Sequence, residues 1–165
     1  VFQVSLPTLI VRSSALKKFN LNFDSNIQVS EEFCLVMQLL SNQVKVSVSK
    51  IPLVAYRLSD NSLSVTGMKY WSKDRRYTLD KILNDKPYLK IKYKNELREA
   101  YFKADYYEAL YAYVKGQNFE ARRIIKKAAF AKFKFFLIYI LFHPSLAFIF
   151  RNILIRKYSR NFNFK

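Results

Sequence analysis

Glycine is nearly missing from this sequence: there are two in 165 residues, where average usage of about 7% would give roughly a dozen. A nucleotide-binding α/β half spends several glycines on phosphate-side turns, because only a residue without Cβ lets the backbone approach there. Such a half is therefore not expected here. The sequence also opens on Val1 inside an apolar run, and the two features together lead us to expect a fragment. Cysteine is reduced to Cys34, which excludes an intrachain disulfide and a thiolate metal site and fits a reducing compartment. One histidine, His143, leaves little room for a His-rich metal centre or a Ser-His-Asp triad. No basic-then-apolar signal segment opens the sequence. Acidic residues stop at Glu120, and eleven basic ones follow.

What is present is apolar and cationic. The apolar share of 51% suffices for a packed core and argues against intrinsic disorder. The net charge is +17, unevenly placed: residues 1–68 carry a net of +2 and residues 69–165 a net of +15. That asymmetry points the second half at a polyanionic surface, either nucleic acid or anionic lipid.

Along the chain, residues 9–12 read as the end of a buried strand and 13–19 as a short helix opening on serine caps. Ser30 is a suitable N-cap for a helix over 31–41, in which Phe33, Val36, Met37 and Leu40 recur at helical spacing. Cys34, Leu35 and Leu39 thicken that stripe, so the helix is expected to be largely buried. Val44, Val46 and Val48 alternate with polar residues, a strand pattern. Residues 53–58 read as a second strand after Pro52, and 59–64 (SDNSLS) as a loop.

After Gly67 the character changes to helical. Residues 70–83 form one amphipathic segment that Lys86-Pro87 breaks. Residues 94–115 form a long helix with Leu97, Tyr101, Ala104, Leu110 and Val114 towards one side. Gly116-Gln117-Asn118 stops it, and 119–132 continue as a partner helix, giving one hairpin of the helical-repeat kind without a second copy. Residues 135–150 (FFLIYILFHPSLAFIF) are almost wholly apolar, yet shorter than the ~20 residues a spanning helix needs and interrupted at His143-Pro144. They suit either a membrane interface or a hairpin packed on its neighbours. His143 reads as a hinge or packing residue, and Trp71 as a seal at the junction.

Glu31 and Glu32 are the residues with a chemical reading. Two acids in a first helical turn are favourable beside the positive end of the helix dipole, by roughly 0.3–1 kcal/mol each, and that purely structural role is the ordinary one. The helix behind them is apolar nearly all round, however, so the carboxylates stand at the rim of a core. There a tuned pKa and a rigidly held general base are both available.

The succession of elements resembles the acceptor side of family 2 glycosyltransferases. It runs through Phe23-Asp24, Ser30-Glu31-Glu32-Phe33 with Leu35, Pro52-Leu53, Tyr56-Arg57 and Asn61-Ser62-Leu63-Ser64, from Pro7 to Ser64. The helical part after Gly67 resembles the C-terminal extensions of bacterial members. The resemblance implies a GT-A fold, so that an α/β remnant of the sandwich over 1–67 is expected, followed by an all-helical basic extension over 68–165. It implies an inverting, single-displacement transfer of a sugar from a nucleotide-sugar to a glycan or lipid-linked acceptor, in polysaccharide biosynthesis of the lipopolysaccharide or capsule kind. Glu32 matches the general base and Glu31 an acceptor-orienting acid. Arg57, Asn61 and Ser62 fall at substrate-binding positions, Arg57 as a fork for phosphate or for the acid pair.

Three positions depart from the family pattern: Glu32 stands where Asp is usual, Cys34 where Asp is common, and Ser59 where a histidine often follows the Tyr-Arg pair. No Asp-x-Asp occurs anywhere in the chain. In the complete enzyme that pair holds the divalent cation, Mg or Mn, on the nucleotide diphosphate, so the ligands are expected outside this chain and the chain alone is expected to be inactive. The extension from residue 121 is expected to meet an anionic membrane surface at the cytoplasmic face. Two other classes fit the composition: a basic helical nucleic-acid-binding protein, disfavoured because no helix-turn-helix, RNP or zinc pattern is present, and a helical scaffold.

Overall fold

Helical spacing, dense in the sequence, sets the architecture. The structure, a computed structural model, describes residues 6–49, 51, 54–55 and 66–146. The α-helices run in the order α1 (Ser13–Phe19), α2 (Glu31–Ser41), α3 (Trp71–Asp85), α4 (Leu89–Lys92), α5 (Lys94–Val114), α6 (Asn118–Ala131) and α7 (Phe133–Leu141). Short 3-10 turns lie at Leu6–Thr8 and Met68–Tyr70.

No strand occurs among the described residues, which corrects the α/β expectation: the described chain is all-helical. Residues 9–12 are irregular backbone entering α1, and residues 44–49 run without a ladder partner. Their alternation is present in the sequence, but a strand's N–H and C=O groups need a neighbour, and strands are not stable singly in water. Val46 and Val48 accordingly remain exposed. The second expected strand, 53–58, lies outside the described residues except for Val54 and Ala55, which are irregular, and the 59–64 loop lies wholly outside them.

Helix ends follow one device. In α5 the chain turns at Gly116 (φ 81°), with Gln117 N donating to Ala112 O and Gly116 N to Tyr113 O, both at 2.9 Å. These are the two bonds of a Schellman stop. The same pair closes α1 around Asn20 (φ 49°) and α2 around Gln43 (φ 58°). Helix α1 starts at Ser13 with Arg12 in the cap position and no side-chain cap bond, so its serines are not the caps expected of them.

Polar pairs fix the directions of packing. Ser72 with Glu108, Arg76 with Asp105, and Asp80 with Tyr101 place α3 antiparallel to α5. Phe135 meets Phe102, and Phe142 stacks on Tyr113 with centroids 4.3 Å apart, so α7 runs along α5 in the same direction. The main core joins α5, α6 and α7 around Tyr113, Leu110, Ile125 and Phe135, with Ala109, Ala121 and Ala128 letting the backbones close in. Each large side chain so buried contributes about 1.5–3 kcal/mol. Leu97 and Tyr101, expected on the inner side of α5, are only partly buried, whereas Phe102 and Tyr113 take the interior.

Helix α7 begins two residues before the expected 135 and ends at Leu141, short of Pro144, because proline cannot continue the hydrogen-bond ladder. His143 is exposed and accepts Ser145 N on its Nδ1 at 3.3 Å, opening the next turn rather than packing inside. Residues 147–150 of the apolar run lie outside the described residues. No helix among the described residues is long and apolar enough to cross a membrane.

Candidate functional site

Glu31 and Glu32 form the first turn of α2. Ser30 takes the cap position, yet its side chain makes no cap bond; its carbonyl receives Cys34 N at 3.1 Å. The start of the helix is held instead by the loop before it, and that loop is held by α3.

Two aspartates do this. Asp24 accepts Asn26 N on Oδ1 at 2.9 Å, closing a local turn, while its Oδ2 accepts Lys81 Nζ at 2.7 Å and Tyr77 Oη at 3.1 Å. Asp74, 1% exposed, accepts Gln28 N at 3.1 Å and Val29 N at 2.8 Å on a single oxygen. Two backbone donors aimed at a buried carboxylate are charge-assisted bonds, stronger than neutral ones. They fix Gln28 and Val29, just before the acid pair, against α3. Farther along, Lys86 donates to Asn42 at 2.6 Å, so α2 lies along α3 in the same direction and is tied at both ends.

Beside the acids, Phe33 carries a cation. The Arg75 guanidinium lies 4.1 Å from the centre of the Phe33 ring and 5.4 Å from that of Tyr107. Trp71 meets Tyr107 edge-on at 5.3 Å, closing α3 onto α5, and Lys103 approaches the same Tyr107 ring at 5.4 Å. Burial draws the Arg75 pKa down, and the flanking rings supply the cation–π attraction that offsets part of that desolvation.

Both glutamates are partly buried. The Glu32 carboxyl is pushed above the ordinary glutamate value, first by burial and then by the neighbouring Glu31 charge, against the pull of its own backbone N–H. The two acids are therefore not equivalent. Cys34, one turn along, is buried and makes a weak contact with Gln38 Nε2 at 3.5 Å, and burial pushes its thiol up.

The structure thus brings Glu31 and Glu32 together on a braced platform. Arg57, Asn61 and Ser62, the expected substrate-binding residues, lie outside the described residues, as do Tyr56 and Ser59. Asp74 and Arg75 carry no signal in the residue-type pattern alone. Their position does: with Trp71, Thr78 and Ile82 they fall on the inward stripe of α3, and a charge placed there needs a partner on the element that covers it.

A cleft of about 920 Å³ opens elsewhere, between α3, α4 and α5, lined by Asp80, Leu83, Lys90, Lys94, Arg98 and Tyr101 among others. Its carboxylate, Asp80, is already engaged by the Tyr101 hydroxyl, and the acid pair lies outside it. Among the described residues no three His, Cys, Asp or Glu side chains group as a cation would require. The Mg or Mn of the complete enzyme is expected to take its ligands from outside this chain, and the described residues do not test that. Comparison with protein-family models, with curated proteins and with solved structures returns no match.

Proposed function

We propose that this chain is the acceptor-binding, base-carrying part of an inverting glycosyltransferase of the family 2 kind, working from the cytoplasmic side of a cell membrane on a glycan or lipid-linked acceptor. The observation that carries the reading is the bracing of the Glu31-Glu32 turn by Asp24 and Asp74, together with the raised pKa of Glu32. A carboxylate placed only for the helix dipole needs neither.

In the reaction, Glu32 takes the proton of the acceptor hydroxyl. The freed oxygen lone pair attacks the anomeric carbon of the nucleotide-sugar from the side opposite its leaving group. The carbon–oxygen bond to the nucleotide diphosphate breaks, and the diphosphate leaves with that electron pair. Glu31 orients the acceptor. Arg57, Asn61 and Ser62 remain the proposed substrate contacts, and the donor nucleotide with its divalent cation is held by residues outside this chain.

Apolar side chains before and after α2 in the chain stand exposed, including Ile10 at 94%, Ile51 at 70% and Val48 at 66%. A contiguous donor-binding body covering them fits this reading. The 165 residues alone are expected to show no sugar transfer.

Glu32→Gln in the full-length polypeptide is the test. A positioned base contributes about 10²–10⁴-fold, so kcat is expected to fall by that factor with the fold intact by circular dichroism. Unchanged turnover would leave the chain as a helical scaffold beside someone else's active site.

A further inference from the structure

The last two helices present to solvent what helices of a packed core ordinarily hide. Their inner faces are committed: Ala121, Ile125, Ala128, Phe135 and Phe142 are buried against α5. Their outer faces are not. On α6, Phe119, Arg123, Lys126, Lys127 and Phe130 are all exposed, and the spacing of 4, 3, 1 and 3 puts them on one stripe about 100° wide. On α7, Phe133, Phe136, Leu137 and Ile140 are exposed and likewise share one face. Phe119 is 80% exposed, Phe130 73% and Phe133 75%, which for phenylalanine calls for a covering surface.

The two helices meet at the bend around Lys132, whose backbone is extended. There Phe130 lies 6.4 Å from the Tyr139 ring, with the Arg122 guanidinium over that same ring at 4.3 Å. Charge decides what covers them. Lys126 and Lys127 make no ion pair among the described residues, Arg123 pairs with Glu120, and Lys132 and Lys134 pair with Glu99. No acid stands anywhere from residue 121 to the end of the sequence.

We propose that the outer faces of α6 and α7 form a docking surface for an anionic lipid bilayer. The phenylalanines enter the headgroup–acyl boundary, and Lys126 and Lys127 meet lipid phosphates. At nine residues, α7 is about 14 Å long, too short for the ~30 Å hydrocarbon core, so it lies in the interface. The aliphatic Leu137 and Ile140 separate this surface from one built for nucleic acid. Bases stack on aromatic rings, whereas a Phe–Leu–Ile face without an internal cation is solvated by acyl chain. The surface agrees with the cytoplasmic membrane location proposed above but rests on separate residues, so its failure and that of the Glu32 assignment are read independently.

The test is co-sedimentation of the 165-residue chain with vesicles of phosphatidylglycerol and phosphatidylcholine in equal amounts, beside vesicles of phosphatidylcholine alone. Binding is expected to the first and to be at least tenfold weaker to the second. Lys126→Glu with Lys127→Glu should weaken it by at least roughly 25-fold, from about 1 kcal/mol per basic residue lost at the surface, with repulsion of the new carboxylates adding to it. Phe130→Ser with Phe133→Ser should weaken it about tenfold or more by removing inserted apolar area. All four side chains are exposed, and thermal melts of the variants confirm that the fold is kept. Vesicle binding that ignores both double substitutions, or no binding to either vesicle while single-stranded RNA is bound, overturns the proposal.

Discussion

Two aspartates show how single residues reach from fold to chemistry. Lys81, first among several partners, holds the Asp24 carboxyl down at about 2, below the ordinary 3.8. A depressed carboxyl stabilises the fold above its unfolded pKa, and that contribution is lost as pH falls through the folded value. Asp24→Asn is therefore expected to lower stability by about 1.5–3 kcal/mol near neutral pH, the range for bonds to charged groups. The difference from the parent protein should fade between pH ~4 and ~2 in urea melts at stepped pH; a constant difference would contradict the Lys81 bond. Asp74→Ala leaves Gln28 N and Val29 N without their acceptor, and a loss of about 2–4 kcal/mol is expected. Faster amide exchange should accompany it at residues 28 and 29, ahead of the rest of the chain. The acid pair adds a kinetic consequence. The proposed base at Glu32 works only deprotonated, so activity is expected to fall on the acid side through its pKa, which burial and then Glu31 both raise. Glu31→Gln is expected to move that acid limb to lower pH in the full-length polypeptide. Glu32→Gln should remove the limb together with the rate.

Helices were legible and their neighbours were not. The spacing of Phe33, Val36 and Leu40 gives α2 its observed bounds, Glu31–Ser41, because a 3.6-residue period is satisfied within the segment itself. Alternation at Val44, Val46 and Val48 gave no strand, because its hydrogen bonds must come from another segment. The braces behind the acid pair were hidden for a similar reason: Asp74 and Gln28 stand 46 positions apart, and no local period links them. Stops are local, and the same Schellman bonds at Asn20, Gln43 and Gly116 invite a paired test. The left-handed conformation costs an ordinary L-residue roughly 1–2 kcal/mol, and glycine avoids that cost. Gly116→Ala is expected to destabilise the α5–α6 hairpin by about that amount. Gln43→Gly should stabilise the end of α2 by about 0.5–1 kcal/mol, the relief being partly offset by the freer unfolded chain. Thermal melts of the two variants should move in opposite directions.

At the scale of the whole molecule, charge works against the fold and towards a partner. A net of +17 repels itself in the compact state, most strongly where cations are unopposed. Five ion pairs within the described second half, partly or largely solvated, relieve little of this, since a solvated ion pair contributes about 0–1 kcal/mol. Salt should therefore stabilise the chain. Raising ionic strength from 0.01 M to 0.15 M shortens the screening length from about 30 Å to about 8 Å, and the melting midpoint is expected to rise by several degrees. The lysines proposed to dock on lipid should account for part of the rise. Lys126→Glu with Lys127→Glu is expected to raise the low-salt midpoint and flatten its salt dependence while weakening vesicle binding. Cations kept at a cost to stability are then explained by the surface they meet. If the double substitution instead lowers the midpoint at low salt, Lys126 and Lys127 hold the helices together, and their exposure is no measure of a free docking face.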